Sequence, residues 1–368
     1  MLEWACARAG YTAASFAETH AQFRLLSWLQ GEEVPTLRQL EEFAAATHTS
    51  VGALLLPEPL GEPLPISDFR SGWRQGPPSA NLLDTLYLCQ QRQDWYREYA
   101  RLNRMDAVEF IGSARVTQAP EKAAAALRAA IGIKRTERQD IPTWTEALRT
   151  LIERADQAGV LVMVSGVVGS NTHRKLDPTE FRGFALCDDL APVVFINGAD
   201  TKAGQIFTLA HELGHLGVGE SALSDATPRV TPDQRVEAWC NRFAAEFLVP
   251  EEELRAVQGD DIQAIARQFK VSTLVALRRI FDLGRLSEAD YWQRYDAELE
   301  RVRGLEARGT GGGNFYYTTL ARAGRRLTRA LVVSALEGQS SFSEAFRLLG
   351  FKKLTVFDEL AALVGVEG

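Results

Sequence analysis

Histidine is scarce in this chain, five residues in 368, yet two of the five bracket a glutamate in His211-Glu212-Leu213-Gly214-His215. Residues four apart lie on one face of an α-helix, about one turn from each other. The spacing therefore predicts a helix, from about Thr201 to Leu216, that offers two imidazoles to a single cation. Glu212 follows the first imidazole and falls within reach of a water held by that cation. The lead-in Phe207-Thr-Leu-Ala is apolar, and the sequence after the run leads to a second, acidic helix.

This is the HExxH arrangement of zinc peptidases. A catalytic zinc takes three protein ligands and keeps a fourth position open. The expected roles are His211 and His215 as ligands and Glu212 as the general base that collects a proton and returns it to the leaving amine. If the site were a metzincin, Gly would stand at 218 and His at 221. The chain has Val218 and Ser221, which excludes that class. The third ligand must come from a downstream carboxylate. Glu237 and Glu246 lie nine residues apart on the second helix, from about Pro232 to Leu248, so at about 100° per residue only one of them faces the metal. Glu237 is preferred, because Asn241 one turn on shares its face and offers a supporting hydrogen bond. Asp225 is the runner-up. Two imidazoles and a carboxylate suit Zn2+, and Mn2+ is tolerable in the same set. His173, in Ser170-Asn-Thr-His-Arg174, is a candidate transition-state stabiliser, although a solvated loop histidine is the commoner case. His20 and His48 read as surface or capping residues.

The surrounding sequence predicts an α+β fold: a mostly helical multidomain chain with a small zincin-like core of sheet and helices. Val160–Val164, Gly183–Leu186 and Val193–Ile196 are short apolar runs bounded by Gly, Asn and Asp, as expected of three or so strands. Helices are expected over 80–103, from near Pro120, over 143–157 and over 287–303. Residues 57–78 carry six prolines and three glycines and read as a stiff linker. The domains expected are a helical one over 1–56, the linker 57–78, a metallopeptidase domain over 79–283 with its core at 159–250, and a helical C-terminal domain over 284–368. The run Gly309-Thr-Gly-Gly-Gly313 reads as flexible. A net charge of −7 does not favour bulk nucleic-acid binding. No stretch approaches the ~20 apolar residues of a membrane span, and the N-terminus lacks a signal-peptide layout. The expected location is the cytoplasm, with no membrane partner. The four cysteines form no CxxC pair, so neither a disulfide framework nor a thiolate metal site is indicated.

Over roughly 160–250 the chain resembles the ImmA/IrrE family of metallopeptidases. The resemblance rests on a strand ending in Asn197, on Phe207–Leu216, and on Glu237-Ala-Trp-Cys-Asn-Arg-Phe-Ala-Ala-Glu-Phe-Leu-Val-Pro250. It implies that the glutamate opening the second motif, which matches Glu237, is the third zinc ligand. It also implies a repressor-type transcription factor as the protein substrate, in a stress-response or mobile-element circuit. Tyr11–Leu56 resembles a Cro/repressor-type helix-turn-helix domain, with Ala17, Trp28, Gly31 and Pro35-Thr-Leu at family-like positions. It departs at Thr19-His20-Ala21, where that fold usually has Gly. Residues 1–56 hold three arginines against six glutamates, whereas a duplex binder needs several cations for phosphates. A protein-contacting or repressor-mimicking role is preferred there over DNA binding. Ile262–Thr273 with Arg278-Arg279 is also helix-turn-helix-like, and the preferred reading is a small subdomain that closes the peptidase fold. Arg322, Arg325, Arg326 and Arg329, beside Tyr316 and Tyr317, form either a nucleic-acid patch or, the preferred reading, a solvated face.

The function expected is a zinc endopeptidase acting on a protein. The alternative is a transcription regulator or antitoxin-like binding protein with a silent or structural metal site. Substrate is expected as an added strand on a sheet edge, at Gly183–Leu186 or its neighbour.

Overall fold

The computed structural model describes residues 1–59, 61, 63–68, 78–133, 141–224, 235–306 and 315–366. Asp225 and the run Gly309–Gly313 lie outside the described residues, as does half of the expected linker. The chain divides into two compact units, Met1–Pro65 with Gln75–Tyr87, and Ile66–Arg74 with Leu88–Gly368.

The first unit is built on five short helices: α1 (Leu2–Arg8), α2 (Ala13–Thr19), α3 (Leu25–Gln30), α4 (Leu37–Ala46) and α5 (Val51–Leu54). Capping boxes start two of them. Thr12 and Ser15 exchange hydrogen bonds at α2, as do Thr36 and Gln39 at α4. Phe16, Phe23, Leu25, Trp28 and Phe43 meet in one core. The turn after α2 needs no glycine, because His20 caps it at φ −129° and stacks its ring on Phe16 at 4.2 Å. All three arginines of this stretch are engaged. Arg8 donates to the His48 carbonyl at 2.6 Å, Arg24 pairs with Glu33 and Arg38 pairs with Glu42.

The remaining elements, in chain order, are β1 (Ser67–Asp68), α6 (Ala80–Leu102), α7 (Pro120–Ala130), α8 (Trp144–Gln157), β2 (Leu161–Ser165), β3 (Val167–Val168), β4 (Asn171–Lys175), β5 (Gly183–Leu186), β6 (Val193–Asn197), α9 (Lys202–Val218), β7 (Ala222–Ser224), α10 (Arg235–Leu248), α11 (Glu251–Ala256), α12 (Ile262–Phe269), α13 (Thr273–Asp282), α14 (Glu288–Glu306), α15 (Phe315–Ala323), α16 (Arg325–Leu336), α17 (Phe342–Leu349) and α18 (Leu354–Leu363). The architecture is α+β and mostly helical, as the sequence predicts. The three expected strands are β2, β5 and β6. They belong to a five-stranded mixed sheet in the order β1-β7-β5-β6-β2, and β3 and β4 form a separate hairpin. Strand β6 lies parallel to β2, with Ser165 opposite Asn197, and antiparallel to β5, with Phe184 opposite Phe195. All residues of β5 and β6 are buried, which explains their unbroken apolar runs.

One expectation is corrected here. Gly183–Leu186 is no edge, because β5 is paired on both sides, by β6 and by β7. The sheet's edges are β1 and β2. The segment read as linker contributes β1, which pairs in parallel with β7.

Helix α9 starts at Thr201, whose hydroxyl accepts from the Gly204 amide, and ends at Gly219 in the left-handed conformation. Every residue from Gln205 to Gly217 is buried, so α9 is a core helix packed all round. Its apolar side chains join α7, α8, α10, α12, α13 and the sheet in a single core that includes Leu127, Leu151, Val194, Leu213, Phe243 and Phe269. The α12–α13 pair thus belongs to the same core as α9. Arg279 there is buried against Glu246, and Arg278 pairs with Asp282. In the last helices, Arg326 is turned inward to the Tyr96 hydroxyl and the Asp156 carbonyl. Arg325 and Arg329 are exposed. No described helix is long and apolar enough to cross a membrane.

Candidate metal centre

A step of about 100° per residue gives adjacent positions of a helix different neighbours. On α9 this separates the two imidazoles from the carboxylate between them. His211 and His215 face α10, and Glu212 faces the sheet. Both imidazoles are fully buried, with their Nε2 atoms 3.0 Å apart. Glu237, in the first turn of α10, reaches both: Oε1 lies 2.9 Å from His215 Nε2, and Oε2 lies 3.3 Å from His211 Nε2. Among the described residues these three side chains form the one group of His, Cys, Asp or Glu able to share an ion, and their donor atoms all lie within 4.8 Å of one another. Tetrahedral zinc with bonds of about 2.0–2.1 Å separates its donors by about 3.3–3.4 Å. The observed spacings are within a few tenths of an ångström of that, so the donor set fits such an ion.

The close approach of α10 has a visible cause. A Cβ on Gly214 would stand 3.0 Å from Phe243 Cδ1 and 3.5 Å from Cys240 Sγ. The glycine inside the motif therefore lets α10 lie against α9 and bring Glu237 to the histidines. Glu246 points elsewhere, as its helical position requires. It pairs with Arg279 and accepts from the Glu251 amide.

Glu212 is held from the sheet. Ser224, the last residue of β7 and fully buried, donates its hydroxyl to Glu212 Oε1 at 2.8 Å. Glu212 Oε2 is buried with no hydrogen-bond partner among the described residues. Gly183 makes room on the same side. A Cβ there would meet Thr208 Cγ2 at 2.5 Å, the Phe195 carbonyl at 2.7 Å and Glu212 Oε1 at 3.3 Å. Neither Ser224 nor Gly183 was singled out by sequence. Ser224 ends a three-residue strand too short to register as a periodic pattern.

Burial dominates the electrostatics. It pushes the Glu212 carboxyl up to about 8, against the opposing influence of His211 and the Ser224 hydroxyl. Glu237 goes the other way. Burial would raise it, but the charge of His211 and bonds from both histidines pull it down to about 2. Burial also acts to depress His211, yet Glu237 leaves it raised. His215 is lowered, by burial first.

Asn241 sits one turn beyond Glu237 and adds a weaker upward pull on His211. Its buried Oδ1 and the buried His211 Nδ1 both lack a hydrogen-bond partner among the described residues. An amide oxygen can accept from the imidazole N–H that a metal-bound histidine would present. His173 is not part of the cluster. It lies exposed on β4, and among the described residues no hydrogen bond or ring contact links it to the histidines or glutamates of the site.

No curated protein matches this chain. Residues 323–362, covering α16, α17 and most of α18, match a domain of unknown function. Residues 155–281 run from the end of α8 to the end of α13 and enclose the whole His-Glu cluster. Over that span the chain matches the family model of the IrrE N-terminal-like domain, so the protein carries a domain similar to that peptidase family.

Proposed function

We propose that the protein is a zinc-dependent endopeptidase that hydrolyses a peptide bond in a protein substrate. His211, His215 and Glu237 would hold the zinc, with manganese tolerable in the same donor set. Bound there, the ion supplies Lewis acidity toward a peptide carbonyl and a water. The observation that carries the reading is the convergence of three buried donors on the helix that carries Glu212, whose Oε2 is buried with no hydrogen-bond partner among the described residues. Ser224 holds the other oxygen of that carboxylate and fixes its plane. Glu212 Oε2 takes the proton of the attacking water. The same group returns that proton to the leaving nitrogen. Asn241 orients His211.

The substrate we propose is a helix-turn-helix repressor, and the setting a cytoplasmic stress-response or mobile-element circuit. This rests on the ImmA/IrrE resemblance. The first unit then serves protein contact and not DNA. Its three arginines are engaged within the unit, and it carries exposed Leu26, Val34 and Leu37. The test is co-expression with a repressor gene encoded beside this one. Glu212→Gln keeps bound zinc and abolishes the repressor fragment. If the substitution leaves the fragment or the phenotype unchanged, the peptidase reading is wrong and a regulator with a silent metal site takes its place.

A further inference from the structure

A cleft of about 470 Å³ lies within the second unit, among α7, α9, α10 and the chain over 106–118. Its floor is apolar: Leu127 of α7, Leu213 of α9 and Phe243 of α10 line it, and all three are buried. Gly217 of α9 lines it too. Leu213 and Gly217 each follow a histidine of the metal centre by two residues, so they lie about 200° around α9 from the imidazoles. The cleft is therefore a separate place, and the proposed hydrolysis makes no use of it. Its volume falls in the range of small-molecule sites.

The cleft is built into the fold. Residues 106–118 form its outer wall, and main-chain bonds pin that wall. The Val108 amide donates to the Asp189 carbonyl at 2.8 Å, and the amides of Gly112 and Ala114 donate to the carbonyls of Leu216 and Gly217 at 3.0 and 2.8 Å. Those carbonyls belong to the last turn of α9, which the helix itself leaves short of donors. Gly217 adds to the room. A glycine inside a helix is destabilising relative to alanine. Gly214 has the approach of Phe243 to set against that, whereas a Cβ on Gly217 would meet nothing within 4 Å.

The wall also carries charge. Asp106 and Glu109 line the cleft and are exposed, and among the described residues neither carboxylate makes a hydrogen bond or an ion pair. The third charged residue of the lining, Arg326, gives Nε to the Tyr96 hydroxyl at 2.7 Å and Nη1 to the Asp156 carbonyl at 3.1 Å. The charge left for a ligand is negative, above an apolar floor.

We propose that this cleft binds a small amphipathic cation, an organic amine whose hydrocarbon body covers Leu213 and Phe243 and whose ammonium faces Asp106 and Glu109. The site is independent of the metal centre and of the peptidase reading.

The test uses the full chain and three probes built on one body: 4-phenylbutylamine, 4-phenylbutanol and 4-phenylbutyrate. They present a cation, a neutral hydroxyl and an anion. By calorimetry the amine binds about tenfold more tightly than the alcohol, as two exposed ion pairs allow, and the butyrate binds more weakly than either. Asp106→Asn combined with Glu109→Gln brings the amine down to the affinity of the alcohol. Gly217→Leu fills the floor and lowers the affinity for amine and alcohol alike by about tenfold or more, with circular dichroism unchanged. Equal affinity of amine and alcohol for the unmodified protein overturns the proposal, as does a preference for the amine that survives loss of both carboxylates. Undiminished amine binding to Gly217→Leu places the ligand elsewhere and overturns it too. The carboxylate substitutions are at exposed positions, so that arm decides the matter even if Gly217→Leu does not fold.

Discussion

Arg279 separates a structural account of α12–α13 from a nucleic-acid account. Its guanidinium is 7% exposed and meets the Glu246 carboxylate, itself 8% exposed, while Nε donates to the Val249 carbonyl at 3.0 Å. Arg279→Met keeps most of the stem volume and removes the charge. Glu246 is then left with the Glu251 amide at 3.2 Å and Arg128 at 3.8 Å. Breaking a buried pair by removing one partner costs about 3–5 kcal/mol. The remaining contacts place this case at the low end, about 3 kcal/mol. At about 2–4 °C per kcal/mol for a body of this size, Tm falls by about 6–12 °C in a thermal melt. Arg278→Met is the control. That arginine pairs with Asp282 at 2.9 Å near the surface, and exposed pairs contribute about 1 kcal/mol or less.

The pH dependence gives a second reading of the same pair. Burial already holds the Glu246 carboxyl above its ordinary value, and Arg279 opposes that shift. Without Arg279 it rises further. A carboxyl raised in the folded state binds more protons there than in the unfolded chain, so stability falls as pH rises through the folded value. The deficit of Arg279→Met is therefore smaller at pH 5 than at pH 8. A Tm shift under about 2 °C, or a deficit that grows on acidification, would falsify the structural assignment and return Arg278-Arg279 to candidacy for ligand binding.

Glu237→Ala removes a proposed ligand. Because loss of an outer-sphere partner alone weakens metal sites by 10–100-fold, zinc affinity measured against a competing chelator falls by more than about hundredfold; an unchanged affinity assigns the third ligand elsewhere. Ser224→Ala leaves zinc content intact. It lowers Glu212-dependent cleavage by about ten- to a hundredfold, the worth of a hydrogen bond to a charged group, and full activity would show that Glu212 needs no support from β7. Gly183→Ala drives a methyl to 2.5 Å from Thr208 Cγ2 and 2.7 Å from a backbone oxygen. Overpacking of this kind costs about 1–3 kcal/mol, read as a lower Tm, and an unshifted Tm would mean that β5 and α9 are less tightly fixed than their spacing implies.

The cluster was legible in sequence because helix periodicity is a local property. The spacing of His211 and His215, and the exclusion of one of Glu237 and Glu246, follow from about 100° per residue; the choice of Glu237 rests on Asn241 one turn on. The strands β2, β5 and β6 were legible for a related reason: each is an apolar run bounded by turn residues. Sheet order was not. Whether Gly183–Leu186 lies inside the sheet or at its edge depends on β7, and β7 is three residues that sequence alone does not distinguish from a loop. β1, with two residues in a proline-rich stretch, is less visible still. The His20 turn illustrates a different limit. An absent glycine looked like a departure from a helix-turn-helix, but the backbone there never enters the left-handed region, and a stacked ring on Phe16 supplies what the turn requires.

The site is supported from two directions, and each direction has its glycine. The histidines look toward α10, and Gly214 allows that helix to approach until Glu237 reaches both imidazoles. Glu212 looks toward the sheet, and Gly183 allows β5 to lie beneath it while Ser224 of β7 grips one carboxylate oxygen. In the proposed function, metal ligation and proton transfer therefore depend on different partners of one helix. A perturbation of α10 should reach the donor set first, and one at the β7 edge should reach the base first.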